Sequence, residues 1–254
     1  MPATTHRHLR ALFAAAACLL ALTAVLVGAP ARALAAGTVQ VGDPAAPTSS
    51  LSYLAQIVYD GPLRAGPSES AAVTGAVSTK THWGGQTQLL VLGSARTGGD
   101  LWLNVRVDGR PNGHNGWISG ALAQVTTTGY RIEVSRASKS LRLFNGGRQI
   151  KSIKVVVGAP GTPTPAGSFA IADKLQVTDT NNFLGSWVLP LTAYSDILRT
   201  FDGGQGQIAL HGRGGASLKV PVGKAASHGC VRIENTNINR IAALVPTGTP
   251  VNIS

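Results

Sequence analysis

Two histidines and a cysteine stand close together near the end of the sequence: His211, His228 and Cys230. A thiol attacks a carbonyl as its thiolate, and a free cysteine, titrating near ~8.5, holds little of that form at neutral pH. A nearby imidazole that takes the proton solves this, and the two groups need to meet in space rather than in sequence. His211 follows Gln207-Ile208-Ala209-Leu210, which reads as a short strand ending at the histidine. A loop containing glycine and proline then lets the chain return to Cys230. The carbonyl of Gly212 is placed to accept the other ring N–H and so orient the imidazole. Gly229 permits close backbone approach, and the amides near Gly229 and Cys230 offer an oxyanion hole. Arg232 is always charged and presents a fork of donors suited to a substrate carboxylate. A zinc site built on Cys230, His211 and His228 lacks a fourth ligand at a usual spacing, and no metal or other cofactor is expected. An inert buried cysteine is the plain alternative. It leaves the polar string Ser-His-Gly-Cys without a reason.

The compartment sharpens this. The chain opens with MPATTHRHLR, continues with an apolar run from Ala11 to Val27, and passes into small residues. That is the grammar of a secretory signal peptide over 1–35, with Ala33 and Ala35 as the cleavage pair. An uncleaved segment would instead anchor the chain, the one membrane contact expected. Cleavage removes Cys18, so the mature chain keeps a single cysteine and forms no internal disulfide. Lys and Arg number 22 against 11 Asp and Glu, a formal charge of +11. The leader holds three arginines and no acids, which leaves the mature chain strongly basic. Such charge favours anionic partners. There is no dense Lys/Arg run and no interleaving with aromatics, so nucleic acid is not expected. An anionic cell wall is the natural partner for an exported basic protein.

Few charged residues (13%), few aromatics (5%), 31 glycines and 14 prolines suit a loop-rich, mainly β protein. Residues 36–50 read as a disordered linker. From 51 to 126 come short strands broken by Asp60-Gly61-Pro62, Gly84-Gly85, Gly98-Gly99-Asp100 and Asp108-Gly109. Trp102 and Trp117 are expected in the core of this block, and His82 and His114 in solvated loops. From 129 to 254 the strands Tyr130–Val134 and Ser140–Phe144 precede an Asn145-Gly146 hairpin signal. Pro-rich Gly161–Gly167 reads as a rigid turn. Asn235 is expected to cap a short helix that buries Ile238, Ile241, Ala242 and Val245, and that Pro246 ends. The element order implies a β-sandwich or barrel.

Residues 51–126 resemble a bacterial SH3-like module, a small β-barrel, through "LRAGPS" and "LWLNVRVDGRPNGHNGWI". Residues 129–254 resemble the L,D-transpeptidase catalytic domain, a β-sandwich, through "LHGRGG…VPVGKAASHGCVRI", "GTPTPAGSFAI" and "GTPVNI". The resemblance implies Cys230 as nucleophile, His211 as base and Gly212 as orienter. It places Ser227, His228, Gly229 and Arg232 on the substrate or oxyanion side. It implies peptidoglycan stem peptides as partners, a thioester on Cys230 formed with loss of D-alanine, and acylation by carbapenems. Arg213 stands where the family often has threonine, which bears on the pocket lining beside His211. Sortases also order His, Cys and Arg, but in a different cysteine context. Wall-degrading cysteine peptidases place cysteine before histidine, the reverse of this chain. A carboxypeptidase using water and an inactive wall-binding protein are the remaining readings.

Overall fold

The computed structural model describes residues 43–179, 182–201 and 203–254. The leader expected over 1–35 and the first part of the linker lie outside the described residues. Among the described residues no helix is long and apolar enough to cross a membrane.

Seven strands form the first sheet: β1 (Ser52–Ile57), β2 (Gly61–Arg64), β3 (Val73–Val77), β4 (Gln88–Thr97), β5 (Asp100–Arg106), β6 (Asn115–Ser119) and β7 (Ala123–Thr128). Their order is β3-β2-β6-β5-β4-β1-β7, and every pairing is antiparallel. The inner face buries Ala55, Ile57, Leu63, Val91, Leu103, Val105 and Ile118. Trp102 is buried as expected. Trp117 is only partly buried, because Gly116 and Ile118 take the core-facing positions of β6 and alternation turns the tryptophan away. His82 is more exposed than buried, yet it stacks on Trp83 and faces the Asp108 carboxylate at 3.7 Å. His114 is half-buried rather than solvated.

The stretch read as a disordered linker is tied down from Asp43 onward. Arg96 grips Asp43 through Nε and Nη2, at 2.9 and 2.7 Å. Thr48 accepts from the Leu51 amide at 3.0 Å, and Arg131 donates to the Ser49 carbonyl. Composition predicted solvent for this segment; two arginines distant in sequence supply the ordering contacts.

The remaining strands are β8 (Tyr130–Ser135), β9 (Ser140–Asn145), β10 (Arg148–Lys154), β11 (Val157–Gly158), β12 (Gly167–Ala170), β13 (Leu175–Gln176), β14 (Trp187–Tyr194), β15 (Gln207–His211), β16 (Ala225–Ser227), β17 (Val231–Arg232) and β18 (Pro250–Ile253). A five-stranded sheet runs β10-β9-β8-β18-β12 and a four-stranded one runs β13-β14-β15-β17. The β9–β10 hairpin turns at Gly146-Gly147, both with positive φ, as the Asn-Gly signal predicts. Apolar residues of both sheets meet in one core, with Ile132, Leu143, Phe169, Leu189, Leu210, Val231 and Val251 among its members. A helix, α1 (Asn235–Leu244), closes one side by burying Ile238, Ile241 and Ala242. Each such side chain contributes about 1.5–3 kcal/mol when fully buried. Lys174 Nζ donates to the Ala242 and Val245 carbonyls at 2.7 and 2.9 Å, a cation placed at the negative end of the helix.

Candidate active site

β15 and β17 run parallel, with Leu210 opposite Val231 and His211 opposite Arg232. This register explains how a histidine and an arginine far apart in sequence reach one place. The loop between β16 and β17 carries Cys230 to the edge of β15. There its Sγ lies 4.0 Å from the Gln207 carbonyl.

The loop is locked from inside. Ser227 Oγ donates to the Cys230 carbonyl at 2.6 Å and accepts from the Gly229 amide at 3.2 Å. Thr164 Oγ1 donates to the Gly229 carbonyl at 2.7 Å and accepts from the Gly158 amide at 2.9 Å. Thr162 Oγ1 and the Ala159 amide both donate to the Ser227 carbonyl, at 3.0 and 2.9 Å. The rigid Pro-rich turn is therefore a buttress for the cysteine loop. Gly229 has φ of +119°, which favours glycine, and a Cβ there would also stand 2.7 Å from Ile208 Cδ1, so that the isoleucine would have to shift.

These contacts change two expected roles. Ser227 is buried and spends its hydroxyl on the loop, so it is a structural residue rather than a substrate contact. The Gly229 amide is taken by Ser227 and is not free for an oxyanion; the amide of Cys230 itself makes no such bond among the described residues. His228 is exposed and lies against the Phe201 ring, with centroids 4.9 Å apart.

His211 is 1% exposed, and its Nδ1 lies 2.7 Å from the Gly212 carbonyl. That carbonyl can only accept, so Nδ1 carries the proton and Nε2 is left as the basic nitrogen. Burial lowers the imidazole pKa to about 4, with the Arg232 charge adding to the effect and the Gly212 and Leu184 backbone opposing it. Burial likewise pushes the Cys230 thiol up, against the Ala209 backbone and the Arg232 charge, which pull it down. Both groups therefore rest neutral. Among the described residues the thiol and the imidazole share no hydrogen bond. Burial of both groups therefore weighs against a standing thiolate–imidazolium pair. Alkylation of Cys230 by iodoacetamide at pH 7 is accordingly expected to run slower than that of free cysteine, rising with pH. Rapid labelling below pH 7 would contradict this.

Gly212 is held by its neighbours. Its amide donates to the Trp187 carbonyl at 3.0 Å. Asn235 was expected as a helix cap, but Glu234 is the capping position and makes no side-chain cap bond. Asn235 instead accepts from the Arg213 amide at 2.9 Å and donates to the Arg213 carbonyl at 2.8 Å. It thus fixes the turn whose carbonyl orients His211. Asn235→Ala is expected to lower stability by about 1–3 kcal/mol, and to slow acylation roughly tenfold by loosening that carbonyl. A melting curve read beside the acylation rate checks both. The Arg213 side chain is turned away into its own network with Glu234 and the Leu218 and Val220 carbonyls.

Arg232 is 5% exposed, and its guanidinium lies 4.8 Å from the Phe183 ring centroid. Its amide donates to the Val156 carbonyl at 2.9 Å, while its side-chain Nε is buried without a hydrogen-bond partner among the described residues. A brace would bond backbone carbonyls, and no such bond from the Arg232 side chain is found among the described residues; it packs on Phe183 instead. Phe183 also faces His211, at 6.2 Å between centroids. Sequence reasoning missed both Phe183 and Phe201. They fall in a stretch without motifs, and their ring contacts in the fold, Phe183 with His211 and Arg232 and Phe201 with His228, are what place them beside the site.

The YkuD model of the L,D-transpeptidase catalytic domain matches residues 129–253. The YkuD protein of Bacillus licheniformis is 33% identical over 128 residues, which cover 50% of this chain and 67% of that protein. The YkuD protein of Bacillus subtilis is 30% identical over 128 residues, 50% of this chain and 68% of that one. Among solved structures, the Ldtfm–avibactam carbamoyl enzyme is 22% identical with a TM-score of 0.37; the match covers 49% of this chain and 48% of that one, about half its length. Through the domain at 129–253 the chain belongs to the YkuD family of L,D-transpeptidases.

Proposed function

We propose that the protein is an exported cysteine L,D-transpeptidase that remodels peptidoglycan through a thioester on Cys230. The donor is a stem tetrapeptide. Cys230 Sγ attacks the carbonyl joining the third-residue diamino acid to the terminal D-alanine, and its proton passes to His211 Nε2. The Cys230 amide faces the developing oxyanion. The tetrahedral intermediate collapses, the C–N bond breaks, and D-alanine leaves with the proton that His211 returns. A side-chain amine of a second stem then attacks the thioester, His211 takes its proton, and the thiol is restored with a new cross-link. A carbapenem acylates the same sulfur.

The observation that carries this reading is the buried Arg232 side chain near the Cys230 thiol, whose Nε has no hydrogen-bond partner among the described residues. An uncompensated buried charge is costly, and a substrate carboxylate is the partner it lacks. The leader-like first 35 residues support export, and the basic charge suits an anionic wall. We read residues 51–126 as an SH3-like module that accompanies the catalytic domain to the wall. The test is the intact mass of the protein after incubation with a stem tetrapeptide, alone and with an acceptor stem. An adduct equal to the tetrapeptide less D-alanine, discharged by the acceptor into a cross-linked dimer, is expected. Discharge by water alone would make the protein a carboxypeptidase. No adduct at all would overturn the proposal.

A further inference from the structure

The loop between β5 and β6 belongs to the N-terminal sheet, yet three of its side chains end on the catalytic half. Asp108 accepts from the Tyr194 hydroxyl at 2.9 Å and from Gln207 Nε2 at 3.2 Å. Asn112 exchanges two hydrogen bonds with the Tyr194 backbone, both 2.8 Å, as a neighbouring strand would. Arg110 reaches furthest. Its Nη2 donates to the carbonyls of Ser195, Leu198 and Gln205, at 3.0, 3.3 and 3.0 Å. Its guanidinium also lies 5.1 Å from the Tyr194 ring centroid.

Those three carbonyls belong to both limbs of the connection between β14 and β15. The neck of that connection is closed by the Ser195 amide on the Gly206 carbonyl at 2.8 Å. The neck is also full, since a Cβ at Gly206 would stand 2.1 Å from the Leu198 carbonyl oxygen. Further out, Phe201 and Gly204 exchange backbone hydrogen bonds of 2.9 Å. Phe201 then lies against His228, two residues before Cys230. Phe201 is half exposed and has no core to hold it. Its backbone is held by the pair with Gly204, and Arg110 bonds carbonyls on both limbs that lead to it.

We propose that Arg110 is a positioning residue for acyl transfer. By bridging both limbs of the β14–β15 connection it sets Phe201 against His228 and fixes one wall of the cleft beside the Cys230 thiol. The catalytic domain thus borrows part of its cleft geometry from the N-terminal sheet. The inference rests on the reading of Cys230 as the acylated residue, but the first of its two tests does not.

That first test is proton NMR of the full chain, in which the His228 ring line is assigned by its loss in His228→Gln. Stacking on Phe201 displaces this line by ring current. In Arg110→Ala it is expected to move to where Phe201→Ala places it. The second test is the rate of Cys230 acylation by a stem tetrapeptide, read by intact mass. Arg110→Ala and Phe201→Ala are each expected to lower kcat/KM about tenfold, and the double variant no further, because residues acting through one element are not additive. A His228 line unmoved in folded Arg110→Ala overturns the proposal. So do losses that multiply to about a hundredfold in the double variant, or unchanged acylation in both single variants. If Arg110→Ala does not fold, Arg110→Met, which keeps a long side chain but no donor, carries the same comparisons. An unmodified protein with no acylation would count against the function proposed above, while the His228 line still reads the Arg110 tie.

Discussion

Cys230→Ala is expected to gain no mass from either a stem tetrapeptide or a carbapenem, and to lose turnover by at least about 10⁴-fold. The size follows from covalent catalysis: without the sulfur no thioester forms, and binding alone leaves only a residual rate. Gly229, Thr164 and Ser227 hold the loop through backbone atoms and their own hydroxyls, so the alanine variant keeps its fold. The Arg232 guanidinium also remains. Substrate binding without reaction is therefore the expected state of this variant, and a melting temperature raised by tetrapeptide is its signature. A variant that still gains the drug's mass would remove Cys230 from the reaction.

Much of the site was legible in the sequence because its residues carry local signals. His211 ends an apolar strand, and a glycine follows to offer its carbonyl. The helix was legible in Ile238, Ile241, Ala242 and Val245, whose spacing places them on one buried face. The misses have a common cause. Asn235 looked like a cap because capping is a local rule, but its partner is Arg213, 22 residues away. Ser227 is placed on the substrate side by the family resemblance, while its hydroxyl is consumed by the turn it sits in. Phe183, Phe201 and Arg110 act through pairings between loops distant in sequence, and such pairings leave no period or spacing to read. Trp117 shows the same limit on a smaller scale: an aromatic in a strand signals burial, but the register decides which face it takes.

The two histidines separate most clearly under substitution and acid. His211→Ala is expected to slow acyl-enzyme formation by about 10²–10⁴-fold, the usual cost of losing a general base. His228→Ala, which removes an exposed ring stacked on Phe201, should cost far less. The pH dependence follows from burial. With its pKa lowered to about 4, His211 stays a neutral base well below the ordinary histidine range. The acid limb of kcat/KM for acylation is therefore expected near pH 4 rather than near ~6.5. The same shift bears on stability. Between those two values the unfolded chain binds a proton that the folded chain refuses, so folding free energy falls as pH falls. The contribution is complete above the unfolded value and lost towards pH 4. Its full size is about 3 kcal/mol at the usual conversion. Urea unfolding at pH 7 and pH 4.5 measures it when compared with His211→Asn, since the carboxylates titrate alike in both proteins. The unmodified protein should lose about 2–3 kcal/mol more than the variant across that interval. An acid limb centred near 6.5, or the same loss in both proteins, would mean that the imidazole of His211 is not the buried neutral base that the Gly212 carbonyl orients.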